Sequence, residues 1–352
     1  MDFSTNASVV RPCSLNAALG IGAMILALDI GGTKVAIATY AAAANGLSIK
    51  AHARYKTHDF SGLEALLQHH FAGSVPPLQA ISIGVAGPVL GRVVTLTNLP
   101  WSIDADRLSQ LFGAPVFLLN DLEAHGYAIP CLDPSALVTL QSGTSRQGNM
   151  ALIAAGTGLG EALLIRNGHE FVVCASEGGH ASFAPTEIKD LELVRFLRPR
   201  FPHISWERIV SGLEGFRNLY DYMLASGDFK IPEQWQRQLA AQHDIGALIF
   251  QAASEGESFA KYLLNWFVRL YGSEAGNLAL KVMAVEGVYV AGGIASHLLP
   301  YLTTGAFTKA FAHKGRFNSM LREIPICVIT DVNAALLGAA VFATKRLEGK
   351  VV

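Results

Sequence analysis

"LALDIGGTKVAIATY", residues 26–40, decides how this chain is read. Two apolar runs flank Gly31-Gly32-Thr33, and Asp29 interrupts the first run near its end. Ile25-Leu26-Ala27-Leu28 and the later "VAIATY" are continuously apolar, the pattern of strands buried on both faces, and a short polar turn between them predicts a hairpin. The device recurs at "MALIAAGTGLGEALLI", residues 150–165, where Gly156-Thr157-Gly158-Leu159-Gly160 separates two more apolar runs. Two hairpins with Gly and Thr at their tips, about 125 positions apart, are what a duplicated pair of domains would leave.

Glycine-rich tips are also ordinary hairpin chemistry. Their second use is that backbone N–H groups can converge on an anion where no Cβ blocks the approach, with the Thr hydroxyl as a further donor. Asp29 favours that use. A carboxylate beside a phosphate is repulsive unless a divalent cation stands between them, so Asp29 is expected to meet Mg²⁺ directly or through a water. Competing nucleotide motifs are absent: the chain has no G-x-x-x-x-G-K-[ST] and no strand followed by G-x-G-x-x-G opening a helix.

Composition narrows the partners. Of the 352 residues, 51% are hydrophobic and 16% charged, as in a well-buried globular protein too long for one small core. With 27 basic and 28 acidic side chains the net charge is −1, which favours neither nucleic acid nor an anionic membrane. No apolar stretch has the length and freedom from polar residues of a membrane span. Cys13, Cys131, Cys174 and Cys327 form no C-x-x-C pair, so reduced thiols in a cytoplasmic protein are expected. Residues 1–23 resemble neither a secretory signal nor the strand that follows, and read as a flexible extension or an early start codon.

Candidate chemistry lies elsewhere. In "PVFLLNDLEAHGYAI", residues 115–129, Asn120-Asp121 follows an apolar strand and precedes a helix. The plain reading is a turn or N-cap; the sharper one is a carboxylate at the carboxyl edge of a sheet, acting as general base on a hydroxyl. "SEGGHASFAP", residues 176–185, offers Glu177 and His180 on a tight turn, suited to adjacent hydroxyls, and no nearby Cys or second His completes a metal site. Glu207 in "SWERIVSG", residues 205–212, stands near a predicted helix start, where a helix-dipole role is the default. Gly292-Gly293 ends the strand in "VYVAGGIASHLLPYL", residues 288–302, and serves either a flat group such as adenine or close strand–helix packing. Residues 331–347 read as a small-residue helix carrying Gly338, while "DPSALVTLQSG" and "GDFKIPEQWQRQ" read as surface connections.

Taken in order, "LDIGGTK", "TNLPW" at 97–101, "LLND" at 118–121, "AGTGLG", "EGGH" at 177–180, "ERIVSG" at 207–212, "GNLAL" at 276–280, "AGGI" at 291–294 and "KGRF" at 314–317 resemble the bacterial glucokinase family of the sugar kinase, Hsp70 and actin superfamily. The resemblance runs from about Met24 to the C-terminus. It implies a two-lobed α/β, actin-like ATPase (ribonuclease H-like) fold with a sugar and ATP cleft between the lobes: a small domain from 24–131 plus 331–352, and a large one from 132–330. It implies ATP-dependent phosphorylation of glucose at the 6-hydroxyl, with Asp121 as base and Asn98, Asn120, Glu177, His180 and Glu207 on the sugar. Asp29, Gly31, Gly32, Thr33, Gly156, Thr157, Gly158, Gly292 and Gly293 would serve Mg·ATP, commonly in a homodimer. Leu122-Glu123-Ala124 departs from the aromatic and small polar residues many relatives carry, so the wall of the sugar pocket is expected to differ. Nothing like the C-x-C-G-x-x-G-C zinc cluster of ROK kinases follows His180, which favours the non-ROK branch. Another hexose or amino-sugar kinase, and a sugar-sensing regulator or chaperone-like ATPase, remain the alternatives.

Overall fold

A computed structural model describes residues 20–43, 46–96, 99–144 and 146–350. The chain forms two compact units. The first takes the described residues up to Ala136, Phe171–Ala175 and those from Asp331 on; the second takes Leu137–Glu170 and Ser176–Thr330.

In the first unit, β1 (Met24–Ile30), β2 (Lys34–Ala43), β3 (Gly46–Lys56), β4 (Leu78–Val85) and β7 (Val116–Asn120) form a sheet in the order β3-β2-β1-β4-β7, and β5 (Val93–Thr95) pairs with β6 (Ser102–Asp104) in a separate ribbon. The expected hairpin is present: β1 and β2 are antiparallel, with Ile30 opposite Val35. β1, β4 and β7 run parallel, so their carboxyl ends share one edge. Alternation sorts the side chains between two faces. Leu26, Leu28, Ile30, Ile81 and Ile83 pack with Leu63, Leu66 and Leu67 of the helix Leu63–Phe71. The other face carries small groups at Ala27, Ser82 and Gly84, and there the helices Asp121–Ala128 and Ala334–Leu347 lie.

These two helices cross at Gly338, where a Cβ would overlap the backbone oxygen of Ala124. No rotamer relieves a clash with backbone, so Gly338→Ala must part the helices. Overpacking of this kind costs about 1–3 kcal/mol, and since the helix that moves begins with Asp121, a lowered thermal midpoint accompanied by lowered turnover is expected, read by calorimetry and a steady-state assay.

Residues 132–136, expected in the large domain with the rest of 132–330, fall with the first unit, and so do 171–175. The latter are the middle of β11 (Glu170–Ser176), and Val173 fills the space above Gly126, its Cγ1 2.5 Å from where a Cβ would stand. A sequence reading that divides the chain at single points cannot see such a return.

The second unit repeats the plan. β9 (Met150–Ala155) and β10 (Leu159–Asn167) form the second hairpin, and the strands run β10-β9-β12-β13-β8, with β8 at Leu137–Gln141, β12 at Gly287–Ala291 and β13 at Ile326–Ile329. β9, β12 and β13 are parallel, as β1, β4 and β7 are. The helix Ser258–Val282 packs against the sheet, and its Phe267, Tyr271 and Ala275 are fully buried. "DPSALVTLQSG" is not only a connection: its Leu137–Gln141 is the edge strand β8, antiparallel to β13. "GDFKIPEQWQRQ" likewise enters the helix Glu233–Ala240, which buries Trp235 and Leu239 one turn apart. Cys174 and Cys327 are free thiols; Cys131 is disulfide-bonded, against the expectation that all four are reduced. Residues 1–19 of the expected extension lie outside the described residues.

Candidate active site

At the carboxyl edge of the first sheet, Arg54, Ala36, Asp29 and Gly84 occupy directly opposed positions on β3, β2, β1 and β4 and so point to one face. The middle of this row is small. Gly84 lies between Asp29 and the start of the helix at Asp121, whose Cα is 3.9 Å from where a Cβ on Gly84 would stand. Without a side chain there, the two carboxyls sense each other. Burial and the Asp29 carboxylate push Asp121 up to about 6, against the pull of His125 and of its bond from the Leu122 N–H. Asp29 is raised as well, by burial first, with His125 and Arg54 opposing.

The helix holds Asp121 by a capping box. Asn120 Oδ1 accepts from the Leu122 and Glu123 N–H groups, and Glu123 Oε2 accepts from the Asn120 N–H at 2.9 Å. Asn120 Nδ2 donates to Gly87 O at 3.0 Å, which ties the cap to the chain leaving β4. The plain N-cap reading of Asn120 is therefore correct, and it fixes Asp121 rather than competing with a chemical role. Glu123 is the reciprocal partner of this cap.

The tip of the first hairpin exposes Gly32 and Thr33. Gly31 N–H donates to Lys34 O, and the buried Thr57 donates its hydroxyl to Gly32 O at 3.0 Å and its N–H to Thr33 O. The tip is thus braced from behind.

In the second unit three glycine segments meet. Gly156 follows β9, Gly212 N–H donates to Gly156 O at 2.7 Å, and Gly293 N is 3.9 Å from where a Cβ on Gly156 would stand. Gly292 has φ +102°, and a Cβ there would overlap the Ala155 carbonyl oxygen, so only glycine fits. Thr157 is exposed between them. Gly212 and its neighbour Ile294 belong to this group and carried no signal in the sequence beyond their motifs.

The same unit gathers Glu177, His180 and Glu207. His180 Nε2 is 3.8 Å from Glu177 Oε2 and its Nδ1 is 3.9 Å from Glu207 Oε1, separations that leave every one of these atoms free for a ligand. Glu207 is not at a helix start: it lies in a turn, and the next helix begins at Glu214. Its Oε2 accepts from the Leu159 N–H at 2.9 Å, and the space it needs is that left by Gly158. One carboxylate therefore links the cluster of Glu177 and His180 to the second glycine hairpin. Asn98 lies outside the described residues.

A sequence model of the glucokinase family matches residues 26–346. The chain belongs to that family. It is 35% identical over 339 residues to a glucokinase of Nostoc punctiforme, covering 92% of this chain and 99% of the relative. A crystal structure of a glucokinase from an Antarctic psychrotroph superposes with a TM-score of 0.80 at 32% identity, over 91% of this chain and 98% of that one. A ROK family glucokinase from Streptomyces griseus, solved with glucose and AMPPNP, shares the fold at a TM-score of 0.61 and 22% identity, over 92% and 99%. The fold is thus the actin-like ATPase fold of the sugar kinases.

Among the described residues no group of three or more His, Cys, Asp or Glu is arranged to hold a metal, and no helix is long and apolar enough to cross a membrane. Mg²⁺ is usually held by one or two carboxylates, waters and substrate phosphates. Two raised carboxyls facing one gap at Gly84 are a donor set that a divalent cation would relieve of its repulsion.

Proposed function

We propose that this protein transfers the terminal phosphoryl group of ATP to the 6-hydroxyl of glucose, giving glucose 6-phosphate and ADP for glycolysis, with Asp121 as general base. The observation behind the proposal is the placement of Asp121 at the carboxyl edge of β7, capped in position and facing Asp29 across Gly84. A carboxylate whose proton leaves at about 6 is ionised at neutral pH yet more basic than an ordinary aspartate, which suits late removal of a hydroxyl proton.

Positioning and charge neutralisation carry most of such a transfer. Gly31, Gly32, Thr33, Gly156, Thr157 and Gly158 present backbone and hydroxyl donors to the phosphates, and Gly292-Gly293 admits the adenine plane. Mg²⁺, bound with ATP, would be held by Asp29 directly or through water and would neutralise phosphate charge. Glu177, His180 and Glu207 bind sugar hydroxyls, with Asn98 as a further ligand. Asn120 keeps one amide hydrogen for the sugar, its other groups being committed to the cap. The protein works in the cytoplasm as a homodimer on small molecules, without nucleic acid or membrane.

Gly158→Ala tests the sugar side. The added methyl displaces the Glu207 carboxylate from the Leu159 N–H, and an acceptor so disturbed weakens glucose by about 1–3 kcal/mol. A raised KM for glucose is expected in steady-state kinetics, and because Gly158 also faces the phosphates, a change in the KM for ATP beside it.

The function itself is tested by ADP formation with and without glucose, then across mannose, fructose and N-acetylglucosamine. Glucose should stimulate ADP formation most. Preference for another sugar would make this a different hexose kinase, and ADP formation indifferent to every sugar would make it an ATPase of another kind.

A further inference from the structure

Glu161 has no part in the chemistry above, yet it sits directly beneath the segment that carries Glu177 and His180. It lies on β10, two residues beyond Leu159, and is 1% exposed. Its Oε1 has no hydrogen-bond partner. Its Oε2 fills the space under Gly178, where a Cβ would overlap it, and beside it Ser176 Oγ accepts from the Gly178 N–H at 2.9 Å. The turn 177–180 therefore rests on a buried carboxyl.

A second buried carboxyl meets the first. Glu274, on the helix Ser258–Val282, is 0% exposed, and the two carboxyls act on each other electrostatically. Two buried carboxyls that sense each other do not both ionise readily, so one holds a proton. Burial raises Glu274 too, but Asn277 Nδ2 donates to it at 2.7 Å and Lys281 Nζ at 3.4 Å, which favours it as the ionised partner. Glu161 is then the acid, held protonated by burial and by Glu274, with its proton leaving at about 8. The other polar groups packed here are Lys314, whose Nζ donates to Ser273 O and Asn277 Oδ1, and Tyr271, whose hydroxyl bonds Ile153 O and the Ala155 N–H. Neither supplies a donor to Glu161 Oε1.

We propose that Glu161 is a positioning residue for sugar binding: sharing one proton with Glu274, it seats the 177–180 turn so that Glu177 and His180 face the sugar, and with both carboxyls ionised their repulsion displaces that turn. The inference rests on the reading of Glu177 and His180 as sugar ligands. It makes sugar affinity fall as pH rises, because the seated form is the protonated one. The pair is buried and out of reach of substrate, so kcat at saturating glucose changes little.

The experiment is direct binding of glucose, by intrinsic fluorescence, together with KM and kcat, from pH 7 to pH 9 on the full chain. For the wild type, Kd and KM should rise roughly tenfold over that range, as one linked proton requires. Glu161→Gln, whose amide can still donate to Glu274 but cannot ionise, should bind as the wild type does at pH 7 and show a flat profile. Glu274→Gln removes the like charge by the other partner and should flatten the profile too, which keeps the test decisive if the first variant does not fold. A wild type whose affinity is flat, or a Gln variant that weakens with pH as the wild type does, overturns the inference while leaving the proposed function standing. A wild type that binds no glucose at pH 7 overturns both.

Discussion

Replacing Asp121 with asparagine is expected to lower turnover roughly 10²–10⁴-fold, the usual worth of a general base, while the fold becomes no less stable. The geometry argues for both halves. Asparagine keeps an oxygen for the Leu122 N–H and leaves the Asn120–Glu123 cap intact, so the start of the helix should stay in place. It also removes a charge the native state holds at a cost. The folded-state value of Asp121, about 6, lies above its ordinary value of 3.8. The native state therefore binds this proton more tightly than the unfolded chain does. Stability falls as pH rises between those two values, and above pH 6 the full penalty, on the order of 2–3 kcal/mol, is present. Loss of a favourable charge at a helix N-terminus, about 0.3–1 kcal/mol, offsets only part of the relief. At pH 8 the thermal midpoint of Asp121→Asn should equal or exceed that of the wild type, and glucose binding should change far less than turnover. A variant that is inactive because it is unfolded would contradict this account, as would one with near-normal turnover.

Asp29→Ala should have the second largest effect. If Asp29 meets the cation of Mg·ATP as proposed, its loss reduces turnover by roughly 10²–10³-fold, with the KM for Mg·ATP raised and glucose binding nearly unchanged. The conservative Asp29→Asn carries a further signature. Because the Asp29 carboxylate is one cause of the raised Asp121, its neutralisation should move the acidic limb of the rate profile to lower pH. An unshifted limb, in a variant still active enough to titrate, would separate the two carboxyls functionally.

Much of this architecture was legible from residues close in sequence. Both hairpins announced themselves, since apolar runs around Gly-Thr tips carry their meaning locally, and Asp29 stood out as the one charge in a buried strand. What escaped depends on residues far apart. Gly84 matters because it adds nothing to the space between β1 and the helix at Asp121, and a missing side chain gives no local signal. Its place in the chain suggests a helix-start role for Glu207, while its partner is the Leu159 N–H on β10, far away in sequence. Glu161 and Glu274 each look like a surface charge until the fold buries them against each other. β8 went unread because its residues are only half-buried and its alternation is short, and the helix Glu233–Ala240 because polar residues surround Trp235 and Leu239. The return of Phe171–Ala175 to the first unit likewise depends on Val173 meeting Gly126, a contact no linear division anticipates.

The pH dependence of kcat/KM for glucose in the wild-type enzyme is the most direct test, since it reports the ionisation of essential groups in the free protein. If Asp121 acts as the base in the environment found here, the rate should fall about tenfold per pH unit below an inflection near 6. A rate that stays level down to pH 4.5 would contradict the assignment.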